Sequence, residues 1–173
     1  MKFTKPALAA AAALALVAPA GALGAWRDNI DHALVTTIAG YMRADEGMAA
    51  YIAEIDFHVS SERKLGIEFK SVSINNQPVP MPEHPVTYSI DLEAGTGNGT
   101  NEEETYTYTA TENGDILTVT IDYQNAVSGT AGQMAFEINF ASGSDCTVKL
   151  TGAEDNVAFD LRSAACVNKQ GAP

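Results

Sequence analysis

From Asp56 onward, apolar and polar residues alternate along the chain with a period of two. Leu65, Ile67 and Phe69 are separated by Gly66 and Glu68, and Val86, Tyr88, Ile90 and Leu92 by Thr87, Ser89 and Asp91. Tyr106 and Tyr108 stand between the threonines at 105, 107 and 109. The same alternation runs through Leu117 to Tyr123, Met134 to Phe140, Cys146 to Leu150 and Val157 to Leu161. Successive side chains of a strand point to opposite faces, so each segment has one oily and one polar side. This predicts about eight short strands over residues 56–166, in an antiparallel sheet packed on one face and wet on the other.

Turn signals support a meander. Asn113-Gly114 lies between two alternating runs, which predicts a hairpin pairing Thr105 to Ala110 with Ile116 to Ile121. Residues 141–145 and 152–156 read as further turns. Pro78, Pro80, Pro82 and Pro85 predict an extended connection over 75–85 that stays out of the sheet interior. Residues 95–104 read as a glycine-rich acidic loop.

Before the sheet the period changes. Leu34, Ile38, Tyr41, Met48, Ile52 and Ile55 recur at spacings of three, four and seven, one stripe of a helix over about 28–55. Asp28 suits its N-cap, Asp31 its first turn, and Gly47 weakens its middle near Asp45. The expected fold is therefore α+β, an N-terminal amphipathic helix on a curved, mostly antiparallel sheet. The alternative is a β-sandwich or small closed barrel with the helix outside.

The first residues change the setting. Lys2 and Lys5, an alanine- and leucine-rich run, Pro19, and small residues before Ala25 predict a secretory leader at residues 1–24, with 25–173 as a single exported domain, periplasmic or extracellular. The apolar run is shorter than the ~20 residues of a spanning helix, so no integral membrane protein is expected after leader removal. Strands shorter than the ~9–11 residues of an outer-membrane barrel point the same way. Cys146 and Cys166 are the two cysteines, and in an oxidising compartment they predict one disulfide.

Charge narrows the partners. The formal charge of −12 becomes −14 when the two leader lysines are removed, which opposes binding to nucleic acid. An unknown protein, glycan or lipid remains as the expected partner.

Chemistry is sparse. The chain has no nucleophile elbow, phosphate loop or His-Glu-x-x-His set, so no catalytic, cofactor-binding or metal residues are assigned. Oxygen donors at Asp91, Glu93, Asn98 and Glu102, with Asn101, Glu103 and Glu104 beside them, make calcium the one ion worth considering. The EF-hand register fails there, since the sixth position from Asp91 is Thr96 rather than glycine. Asp56 and His58 share a strand face and form the candidate acid–base pair. His32 lies four residues from Asp28, and His84 lies among prolines.

The leading expectation is an exported, non-catalytic binding or assembly module, presenting threonine-rich faces at 105–111 and 118–120. A carrier of an apolar ligand such as a lipid is the alternative, its pocket between helix and sheet lined by Tyr41, Met48, Ile52, Phe69, Tyr88, Phe136 and Phe140. A pilin-like subunit and a hydrolase of unknown substrate are the further alternatives.

Overall fold

The computed structural model describes residues 32–44, 47–81, 86–141 and 144–169. The leader, Asp28, Asp31, Asp45 and His84 lie outside the described residues. Eleven strands form one sheet. They are β1 (His32–Ala44), β2 (Gly47–Val59), β3 (Lys64–Ile74), β4 (Gln77–Pro78), β5 (Thr87–Asp91) and β6 (Thr96–Thr100). Then follow β7 (Glu104–Asn113), β8 (Ile116–Asn125), β9 (Ala131–Asn139), β10 (Thr147–Glu154) and β11 (Val157–Lys169). The order is β4-β3-β2-β1-β11-β10-β9-β8-β7-β6, with β5 pairing the start of β3 on the edge whose end pairs β4. All recorded pairings are antiparallel, and β7 meets β8 around Asn113-Gly114 as the turn predicts.

The expected N-terminal helix is overturned. Residues 32–44 and 47–59 form a hairpin of two 13-residue strands. The supposed helical stripe splits across the sheet, with Leu34, Ile38 and Ile55 buried but Tyr41, Met48 and Ile52 exposed outside. Two features concealed the period of two. Thr36 puts a hydroxyl among the inward positions, where its Oγ1 donates to the Ala165 carbonyl at 2.8 Å. Apolar residues also occupy outward positions, so a helical spacing could be traced through both faces. The β-branched run Val35-Thr36-Thr37-Ile38 suits strand far better than helix. The α+β class and both packings with a helix fall together, because the described residues contain no helix.

Two further expectations change. Several strands are longer than expected, and the acidic loop contains strand β6. Pro78 does enter the sheet, but only on the short strand β4 beside β3, where a missing N–H is tolerated.

The sheet rolls around one apolar core drawn from both halves of the chain. Phe57 of β2 and Phe69 of β3 each meet Phe136 of β9, at centroid distances of 5.7 and 6.4 Å. Two bulges assist the curvature. Ala164 is extra in β11 opposite Thr37 and Ile38, and Lys70 is extra in β3 opposite Glu54 and Ile55. Each bulge also switches which positions face inward, so Leu161 and Cys166 are both buried despite their odd separation.

The roll brings β5 beside β6, and side chains rather than a backbone ladder join the seam. The Ser89 N–H donates to Tyr106 Oη at 2.9 Å, and the Asp91 N–H to Tyr108 Oη at 3.0 Å. Both tyrosines lie across glycines of β6. A Cβ on Gly99 would fall 2.4 Å from the Tyr106 ring, and one on Gly97 2.5 Å from Tyr108 Oη. The glycines thus make room for the rings that reach the seam. On β7 and β8 the apolar face turns inward and the threonines outward, while β1 and β2 carry Val35, Tyr41, Met48 and Ile52 on the outside. Among the described residues no helix is long and apolar enough to cross a membrane.

Candidate functional site

The two ends of the rolled sheet differ. At one end the Cys146–Cys166 disulfide ties the start of β10 to β11. Beside it buried Asn168 donates through Nδ2 to the Phe140 and Ala141 carbonyls, at 2.9 and 3.0 Å. Arg63 and Glu112 form an ion pair at 3.1 Å at the same end. This end is tied shut.

The other end is a mouth. Tyr51 on β2, Tyr88 on β5 and Tyr123 on β8 keep the inward parity of their strands. So do Glu104 at the start of β7 and Glu154 at the end of β10, which carry the apolar face on to a charged residue at the rim. Tyr88 donates its hydroxyl to Glu104 Oε2 at 2.5 Å, and Tyr123 to Glu154 Oε2 at 2.6 Å. Each pair joins two strands and fixes a carboxylate against an aromatic ring.

Two hollows lie here, of about 330 and about 120 Å³. They share Tyr51, Phe69, Tyr123, Met134 and Glu154, so they are parts of one recess. Val72, Met81 and Val86 complete the outer part, and Met42, Leu150 and Phe159 the inner. A larger hollow of about 520 Å³ runs over Thr100, Thr105, Thr107, Asp122 and Gln124 on the outer face. It is an open trough across the outward side chains of β6, β7 and β8. The mouth, with apolar walls and few convergent polar groups, has the composition of a ligand site.

Electrostatics distinguish the mouth further. Burial, and then the nearby Glu154 charge, push the Tyr51 hydroxyl up to about 12. Burial also pushes Tyr88 and Tyr123 well above the usual phenol range, reinforced by their hydrogen bonds to Glu104 and Glu154. Burial raises Glu104, opposed by the hydrogen bond from Tyr88 and by the nearby Asn101 amide and reinforced by the charges of Glu154 and Glu103. The five groups therefore sense one another in a poorly solvated place.

The sequence-derived residues divide. Of the expected pocket, Phe69 and Tyr88 reach the mouth, Phe136 and Phe140 are buried in the core, and Tyr41, Met48 and Ile52 stand on the outer face. With no helix among the described residues, they line no gap between helix and sheet there. Asp56 and His58 lie on the outer side of β2, with Asp56 4.0 Å from Lys70 Nζ. The calcium donors lie at the end of β5, on β6, in the turns flanking β6 and at the start of β7. Asp91 Oδ1 accepts the Glu93 and Ala94 N–H groups, Asn101 Oδ1 accepts those of Glu103 and Glu104, and Asn98 is exposed on β6. Among the described residues no three His, Cys, Asp or Glu side chains gather as a metal set.

Sequence reasoning missed Tyr51, Tyr123 and Glu154 as site residues and offered Glu104 only as an oxygen donor for calcium. Parity was the usable signal: extending Tyr108-Tyr106 back reaches Glu104, and extending Val148-Leu150 forward reaches Glu154. No protein-family model matches this chain, and comparison with curated proteins and with solved structures returns no match.

Proposed function

We propose that this protein is an exported, non-catalytic binding module that takes a small, largely apolar ligand into the mouth of its rolled sheet. The observation that carries the reading is the recess walled by Phe69, Val72, Met81 and Met134 and rimmed by tyrosine–glutamate pairs. Its polar groups are few and held in place, as in sites that orient a ligand rather than transform it. The disulfide suits an oxidising compartment. Native mass spectrometry with 1-octanol tests the reading: a one-to-one complex is expected, with at least tenfold weaker binding in Val72→Trp, which fills the outer recess. No complex with the wild-type protein, or equal binding by the variant, would sink it.

A second reading, assembly with another macromolecule, draws on the exposed Tyr41 and Met48 of the β1–β2 hairpin, at 61% and 68% exposure. Such side chains are candidates for an interface. Sedimentation velocity over a concentration series should then show self-association that Met48→Ser abolishes.

A further inference from the structure

We infer that the ligand taken by the mouth is an amphiphile with a cationic head, an alkylammonium-type amine whose nitrogen sits between Glu104 and Glu154 while its chain enters the apolar recess. This rests on the mouth being a binding site and adds the chemical class of its ligand. The sign of the rim decides the class. Glu104 and Glu154 both face the recess, and among the described residues its lining contains no lysine, arginine or histidine. Recorded ion pairs involve Arg63, Lys64, Lys70 and Arg162, all with other acids. A carboxylate or phosphate head would meet two like charges, which poorly solvated surroundings make more repulsive.

Acceptor capacity points the same way. Each carboxylate has several lone-pair sites, and the recorded tyrosine bond occupies one oxygen of each. The remaining sites suit N–H donors, and charge-assisted bonds to a carboxylate are stronger than neutral ones. Tyr51, Tyr88 and Tyr123 line the recess beside the same carboxylates, and aromatic rings attract organic cations. Behind them, Phe69, Met134 and Leu150 offer nothing polar to a chain that passes the rim.

Isothermal titration calorimetry with three chain-matched probes, octylammonium, 1-octanol and octanoate, tests this at pH 7. Octylammonium should bind at least tenfold more tightly than 1-octanol, with octanoate weakest. The gap should shrink in 500 mM salt and collapse in the Glu104→Gln, Glu154→Gln double variant, where each amide oxygen can still accept its tyrosine bond. Glu154→Gln alone should lose part of the preference, and serves if the double variant does not fold. Equal binding of the three probes, or tightest binding of octanoate, overturns the cationic head while leaving the recess as a binding site. Failure of all three to bind overturns both.

Discussion

The tied end and the mouth of the rolled sheet are made from the same strands yet solve opposite problems. At the tied end, buried polar groups meet neutral partners or an opposite charge: Asn168 serves two carbonyls, Arg63 meets Glu112, and a covalent bond holds β10 to β11. At the mouth, two carboxylates have phenolic donors but no recorded cation, and their neighbours are pushed toward the protonated state. Desolvating charge without an opposite charge is unfavourable. The contrast teaches that the sheet is stapled at one end and left underneutralised at the other, where the proposed ligand would sit.

Breaking the tied end should have the largest effect. Reducing Cys146–Cys166, which closes a loop 20 residues long, should lower unfolding free energy by about 3 kcal/mol in urea titrations with and without reductant. Next comes Asn168→Ala, which deprives two carbonyls of their donor and should cost about 2 kcal/mol by the same titration. The seam follows: Gly99→Ala drives a Cβ into the Tyr106 ring and should cost about 1–2 kcal/mol. That loss should be smaller in Gly99→Ala combined with Tyr106→Ala, since the clash partner is gone.

Substitutions and titrations at the mouth should be milder and should depend on pH. The folded state holds the Tyr51, Tyr88 and Tyr123 protons more tightly than an unfolded chain. The stability tied to those protons is therefore intact below pH 10 and lost as pH rises from there through 12 and above. Tyrosinate absorbance and circular dichroism, followed together, should show late phenol ionisation coinciding with unfolding. The smallest effect is at Glu104, whose elevated pKa means that ionisation opposes folding. Glu104→Gln should raise Tm slightly at pH 7, and the advantage should vanish as pH falls below the ordinary glutamate value of 4.5. A Tm loss at pH 7 with Tyr88 still bonded would show the carboxylate to be stabilising, and remove the contrast between the ends.

Legibility followed the contrast between faces. Strands β7 and β8 were readable because Tyr106, Tyr108, Leu117 and Val119 alternate with threonines, and Asn113-Gly114 marks their turn. Strands β1 and β2 were not. Thr36 inside and Tyr41, Met48 and Ile52 outside blur the period, so a helical spacing fitted equally well. Strand β6 was hidden for another reason: Gly97 and Gly99 carry no hydrophobic signal, because the apolar surface over them comes from Tyr108 and Tyr106 on the neighbouring strand. Part of the mouth was legible as parity, in Tyr123, Glu104 and Glu154, but no local rule distinguishes an inward glutamate at a strand end from one in a loop.

By itself the sequence determined the strands from Lys64 onward other than β4 and β6, the faces of those strands up to their bulges, the hairpin at Asn113-Gly114 and the cysteine pair. These rest on side-chain parity, local turn geometry and counting, all of which act within a few residues. Only the tertiary structure decided that β11 returns to β1, that β5 closes on β6 through tyrosine hydroxyls, and that the bulges at Lys70 and Ala164 exchange the faces of their strands. It alone brought Glu104 and Glu154, fifty positions apart, to one rim. The physical reason is that the curvature of a rolled sheet is a collective property of all its strand pairings, and no local stretch of chain encodes which distant residues that curvature will bring together.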